Sequence, residues 1–188
     1  MTDLDIRHLE LPDLEAGLDE IRRAPRDDGC VTLIVRRPDR LERETLDEGQ
    51  LDTEAGLVGD SWRIRGSNNT PDGAADPRAQ VTVMGMRVIR LLAAGRADRW
   101  ALAGDQLYVD FDLSAENIPP GTLLAVGDAV IEVSEMQRTG CKKFAERFGQ
   151  DGVRFVSTPL GRSLDLRGIN AGVVVSGTVR RGARVSRL

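Results

Sequence analysis

One histidine and two cysteines in 188 residues leave little material for the commonest protein-built reactive sites. With His8 alone, a His-rich zinc site or a Ser-His-Asp triad has almost nothing to draw on. Cys30 and Cys141 lie far apart with no paired spacing, and a reducing cytoplasm disfavours linking them, so a disulfide framework is not the basis of this fold. Long apolar runs are missing too: none approaches the roughly 18 residues that a membrane span needs. Charge of one sign does not accumulate. The 26 Lys and Arg against 30 Asp and Glu leave a formal net charge of -4, whereas a sequence-independent nucleic-acid binder carries a basic excess. The N-terminal "MTDLDIRHLELPDLEAG" is acidic and shows neither the apolar core of a secretory signal nor the Arg-rich pattern of a transit peptide. The expectation is a cytoplasmic protein with no membrane and no nucleic-acid partner.

What is present is enough for one sizeable core. Leu14, Leu18 and Ile21 recur at helical spacing until Pro25 stops them, which predicts a short amphipathic helix within an N-terminal extension of residues 1–30. "CVTLIVRR" from Cys30 is β-branched and brief and reads as a strand, with Cys30 a core residue. Residues 38–53 are charge-rich and read as a surface loop with a turn of helix. "QVTVM" is strand-like, and Val88, Leu91 and Leu92 suit a helix that ends before Gly95. In "LYVDFDL", Leu107, Val109, Phe111 and Leu113 alternate with Tyr108, Asp110 and Asp112, which predicts a strand with one apolar and one polar face. "PPGTLLAVGDAVIEVSEM" supplies two more strands joined by a tight turn at Gly127-Asp128. "VRFVS", "AGVVVSGTV" and "ARVSRL" read as three further short strands, the last pair turned by Gly182. Many short strands about ten residues apart, with few helices between, predict a mainly β fold, a closed or nearly closed barrel over residues 31–188.

The chemistry concentrates in "QRTGCKKFAERFG". Thr139 is a good N-cap residue, and Gly140, Cys141, Lys142 and Lys143 would form the first turn of the helix it starts. A thiol there meets free backbone N–H groups and two lysines, conditions that favour thiolate, the form that binds a soft metal or attacks an electrophile. A buried cysteine that merely fills space fits the residues equally well, and a cysteine hydrolase would want a histidine that His8 is poorly placed to supply. A second candidate is the loop at 66–79, "GSNNTPDGAADPRA". Its Ser67, Asn68 and Asn69, beside Arg63 and Arg65, offer hydrogen-bond donors to an anionic ligand, although a solvated loop looks the same. "GLVGD" and "AGDQLYVD" are glycine turns with an acid, and neither is a P-loop or a dinucleotide fingerprint.

Taken in order, "GLVGD", "AQVTV", "AGDQLYVDFDLSAENIPPGTLLAVGDAVIEVSE", "TGCKKFAERFG" and "LRGINAGVVVSGTVRRGARV" resemble the MOSC domain, the family named after the molybdenum cofactor sulfurase C-terminal domain. The resemblance spans residues 31–188. It implies a β-barrel that binds a pterin-type molybdenum cofactor (molybdopterin), with Cys141 at the position of the family's metal or sulfur ligand. Some members reduce N-hydroxylated bases and amidoximes at the metal, and others carry sulfur for cofactor maturation. The cofactor's phosphate and polar ring need partners: Arg63, Arg65 and Lys143 are the candidates for the phosphate, and Gln80, Asn117 and Thr139 for the ring. A small-molecule substrate and a separate partner follow, either an electron-donating reductase or a cysteine desulfurase, because no flavin or iron-sulfur motif is present in the chain. One departure stands out. Many relatives place a histidine shortly after the "GxxGD" turn, whereas Ser61 and Trp62 follow Asp60 here.

Overall fold

The computed structural model describes residues 7–39, 41–67 and 70–188. Its core is a closed barrel of seven strands. In chain order the strands are β1 (Gly29–Arg36), β2 (Glu44–Leu46), β3 (Glu48–Asp52), β4 (Gly56–Leu57), β5 (Val81–Gly85), β6 (Leu107–Asp110), β7 (Leu123–Val126), β8 (Ala129–Val133), β9 (Ile169–Val175), β10 (Gly177–Arg180) and β11 (Arg184–Arg187). Around the barrel the order is β11-β7-β8-β9-β5-β6-β1, and β1 pairs back onto β11 through Gly29 opposite Val185 and Cys30 opposite Arg184. Closure leaves the barrel strands no unpaired edge. β2 attaches to the far end of β1, and β3, β4 and β10 form a separate small sheet.

All barrel pairings are antiparallel except β5 with β6, which run parallel. A parallel pair needs a crossover, and here it is helix α4 (Met86–Leu92) followed by a 3-10 turn over Ala97–Ala103. Two short helices, α1 (Leu11–Ala16) and α2 (Leu18–Arg22), precede the barrel, with Gly17 between them, and α3 (Trp62–Arg65) follows β4. Helix α5 (Lys142–Ser157) breaks at Gly149, whose φ of 79° is left-handed, and α6 (Pro159–Ser163) follows it.

Two apolar clusters result. Residues from all seven barrel strands, among them Val31, Val83, Leu107, Leu124, Ile131, Ala171 and Val185, fill the interior. The opposite faces of β1, β5 and β6, through Leu33, Val35, Met84 and Tyr108, meet a helical layer that includes Leu14, Met86, Ile89, Phe144, Phe148 and Phe155. A bulge between Val31 and Leu33 shifts the alternation, so that Val31 and Ile34 both turn inward.

Several expectations are corrected here. Tyr108 is fully buried, because helices cover the face of β6 that was read as polar. "VRFVS" is the second half of α5: Phe148, Gly152 and Phe155 are buried at helical spacing, and this packing overrides the β-branched composition. Residues 38–53 hold β2 and β3; in β3, Gly49 and Leu51 are buried while Glu48 and Gln50 are exposed, a period of two that the charges obscure. Cys30 is half-buried. No helix among the described residues is long and apolar enough to cross a membrane.

Candidate functional site

A cavity of about 550 Å³ opens where the barrel meets the helical layer. β1 delivers Arg37 to its wall just past the strand end, the "GLVGD" turn and α3 deliver Ser61 and Arg65, the 3-10 turn delivers Ala103 and Gly104, and the start of α5 delivers Cys141, Lys143, Phe144 and Arg147. Asp39 and Arg43 complete the lining.

Asp60 organises one side of this wall. Its side chain is fully buried and one oxygen accepts from the Arg37 backbone N–H at 2.9 Å and from Arg37 Nε at 2.8 Å. The other oxygen accepts from Arg37 Nη2 and from the Trp62 N–H, both at 2.9 Å. This fork-to-carboxylate geometry fixes the guanidinium in place. Arg37 Nη1 continues to the Gly104 carbonyl at 2.7 Å, which ties the "GLVGD" turn to the 3-10 turn.

The Arg37 charge is thereby matched, and cations predominate over the rest of the lining. Arg43, Arg65, Lys143 and Arg147 also face the cavity, with Asp39 the one acid among the lining residues. Arg65 reaches Asp60 only at 3.8 Å. Burial first, then the Arg147 and Arg37 charges, push the Arg43 guanidinium below its ordinary value. Burial first, then Arg37, does the same to Arg65. An anion entering the cavity relieves both effects. Two buried polar atoms here have no hydrogen-bond partner among the described residues, Ser61 Oγ and Arg43 Nε, and such groups are costly to leave unmatched. Gly104, with φ of 85°, presents no side chain; a Cβ there would point toward Arg43 and Arg147, at 3.7 and 3.8 Å.

Behind this wall lies a second ionic group. Asp105, fully buried, pairs with Arg167 at 2.9 Å and with Arg138. Arg167 also donates to the Ala103 carbonyl at 3.2 Å and lies over the Phe144 ring at 4.6 Å. Tyr108 is buried beside these charges, and its burial pushes the phenol well above its ordinary value.

Cys141 is exposed and is itself the N-cap of α5, in extended conformation, so the helix starts two residues later than the Thr139 cap would have set it. It also lines a second opening of about 410 Å³, with Gly140, Lys142, Ala145, Glu146, Gln150 and Val153. The thiol therefore stands between a basic cavity and a more open groove.

Of the residues singled out in the sequence, Cys141, Arg65 and Lys143 line the basic cavity together. Arg63 and Gln80 line a different groove of about 450 Å³, with Thr53, Trp62 and Pro77. Gln80 has both ends engaged, donating to the Thr53 carbonyl and accepting from the Val173 N–H, each at 2.7 Å. Asn117 is buried in the 112–118 turn, where its amide donates to the Arg26 and Asp112 carbonyls at 2.8 Å. Thr139 is exposed and is not among the residues lining the cavity. Asn68 and Asn69 lie outside the described residues. Arg37, Arg43, Ser61 and Arg147 were not singled out. A signal existed for one of them: Arg147 is four residues after Lys143 and so shares its helix face.

No family model matches the chain, and no curated protein matches it. Solved structures do. It is similar to the YuaD protein from Bacillus subtilis at 15% identity, covering 84% of this chain and 94% of that one with a TM-score of 0.61. YiiM from Geobacillus stearothermophilus matches at 14% identity over 85% of this chain and 75% of that one, with a TM-score of 0.59. YiiM from Escherichia coli matches at 19% identity over 85% and 69%, with a TM-score of 0.55. The barrel with its few short helices is a MOSC-like fold. At these identities the likeness concerns the fold alone.

Proposed function

We propose that the chain binds a pterin-type molybdenum cofactor in the Arg37–Arg147 cavity, with Cys141 as the protein's ligand to the metal, and reduces an N–O bond of a small N-hydroxylated compound. The single observation that carries the reading is the convergence of a thiol with an excess of cations and two unmatched buried polar atoms in one cavity. These residues fit the group: a phosphate is an anion rich in acceptors, and a thiolate is a soft metal ligand. Among the described residues no cluster of three or more His, Cys, Asp or Glu offers a metal cage, so a metal would arrive already held by its organic part.

In this reading Arg43, Arg65 and Ser61 take the phosphate, Lys143 and Arg147 flank it, and Arg37 is held by Asp60 as a fixed part of the wall. The bound group supplies two-electron oxygen-atom transfer, and the chain orients it and shapes access. The groove beside Glu146 and Gln150 leaves one flank of Cys141 open to substrate. Ser61 and Trp62 follow Asp60 where many relatives place a histidine shortly after the turn, no imidazole is among the described residues that line the cavity, and protons come from solvent entering at that groove. Electrons come from a separate reductase.

The exposure of Cys141 favours a second reading, in which the protein carries the cofactor, or a persulfide received from a cysteine desulfurase, without turning over a substrate. The test is to assay protein from a cofactor-producing host with an N-hydroxylated base and a supplied reductant. Turnover that vanishes in Cys141→Ser supports the enzyme. Persulfide on Cys141 after desulfurase treatment, with no turnover, supports the carrier. Neither result, in a folded protein, overturns both and leaves a barrel in which the thiol is idle.

A further inference from the structure

Cys141 is tied to α5 on one side only, its carbonyl accepting from the Ala145 N–H at 3.0 Å, while residues 134–140 before it have no regular structure, so the helix alone leaves the N-terminal flank of the thiol unfixed. Two side chains at equal distance along the chain fix where the thiol stands. Arg138, three residues before Cys141, turns inward with only 13% of its side chain exposed and forms an ion pair with Asp105. Phe144, three residues after Cys141, is buried, and its ring carries the Arg167 guanidinium at 4.6 Å. Arg167 is the other partner of Asp105, at 2.9 Å. The carboxylate of Asp105, fully buried and 36 residues away along the chain, is thus the common anchor of both flanks of the cysteine.

We infer that Asp105 is a positioning residue for Cys141, acting through Arg138 on one side and through Arg167 and Phe144 on the other to hold the thiol at the boundary between the basic cavity and the Glu146 groove. Two arginines on one carboxylate leave a net positive charge buried behind the thiol, and burying an incompletely matched charge is expensive. Such an arrangement suits a site whose anionic partner, a metal-bound thiolate or the ligand beside it, supplies the missing charge. Burial and the neighbouring Arg167 and Arg37 charges depress Arg138 while Cys141 opposes that shift, which agrees with this placement.

The inference deepens the proposed role of Cys141, but its test does not depend on bound cofactor. A nitroxide is attached to Cys141 in a Cys30→Ser background and its mobility read by electron paramagnetic resonance. Asp105→Asn and Arg138→Gln should each sharpen the spectrum to that of a label on an unrestrained loop, and Arg138→Lys should restore most of the broadening. A label on Glu146→Cys in a Cys30→Ser, Cys141→Ser background should change little in any of them. Arg138→Gln leaves Asp105 paired with Arg167, so it reads the same question if Asp105→Asn does not fold. A Cys141 label equally immobile in wild type and in folded Arg138→Gln overturns the inference, whatever the metal content. Equal loosening of the Glu146→Cys label also overturns it, because the ion group would then be holding α5 as a whole.

Discussion

The inside of the barrel and the layer outside it are built from the same strands and solve different problems. The interior cluster is wholly apolar, and its residues, from Val31 to Val185, have almost no exposure. A seven-stranded barrel is narrow enough for its own side chains to fill. The outer layer also buries large groups such as Tyr108, Phe144 and Phe148, but it closes over Asp60, Asp105, Arg37 and Arg167 as well and covers most of Arg138. Stability is concentrated where nothing polar is asked of the protein, and the cavity forms where two elements of different geometry meet and polar residues hold them together. Barrel residues are therefore expected to be felt in stability alone, and residues of the outer wall in stability, in ligand binding, or in both.

The largest effect should come from the outer wall. Asp60→Ala leaves Arg37 buried without its partner, a change that costs about 3–5 kcal/mol, read as a lower midpoint in urea denaturation. Leu107→Ala, inside the barrel, should cost about 3 kcal/mol through lost burial and a cavity. It should leave ligand affinity per folded molecule unchanged; a matching loss of affinity would break the separation between the two regions.

A smaller effect depends on pH. Burial pushes the Asp165 carboxyl up to about 7, against roughly 4 in an unfolded chain. Between these values the folded state holds a proton that the unfolded state has released, so stability falls as pH rises through the window and levels off above it. Asp165→Asn cannot ionise. After allowance for partial solvent screening it should be about 1–2 kcal/mol more stable than wild type at pH 8, and it should show no advantage at pH 4. Comparing thermal midpoints at the two pH values checks the sign, since 1 kcal/mol is about 2–4 °C for a domain of this size.

The smallest stability effect, with a clear functional one, is expected at Arg65. Its side chain is 44% exposed, and its distance to Asp60 is long at 3.8 Å. Arg65→Ala should change folding stability by no more than about 0.5 kcal/mol. It should weaken binding of a phosphate-bearing ligand about tenfold, the value of one charge-assisted hydrogen bond, measured by calorimetry.

The sequence carried the two regions unequally. Barrel strands were legible from short β-branched runs and from turns such as Gly127-Asp128, because they answer to local pattern. The outer layer was harder. Tyr108 read as a polar-face residue because nothing near it announces the helices that cover it, and Val153 to Ser157 read as a strand because the helical spacing back to Phe148 crosses Gly149. At the site, Cys141 was visible through its motif and its two lysines, and Arg65 and Lys143 through their charge. The pairings of Arg37 with Asp60 and of Asp105 with Arg138 and Arg167 join residues 23 to 62 positions apart, and no spacing rule reaches that far. Gln80 and Asn117 illustrate the converse: both are polar and buried, and backbone groups that a sequence does not display engage both ends of Gln80 and the amide nitrogen of Asn117.

The most direct test of the account is the molybdenum and pterin content of protein purified from a cofactor-producing host, with wild type beside Cys141→Ser. The substitution is nearly isosteric at an exposed N-cap, so the variant should fold as the wild type does. Near one equivalent of metal and pterin in wild type, with the metal lost from the variant, is the predicted result. Neither metal nor pterin in folded wild type, despite an available cofactor supply, would contradict it.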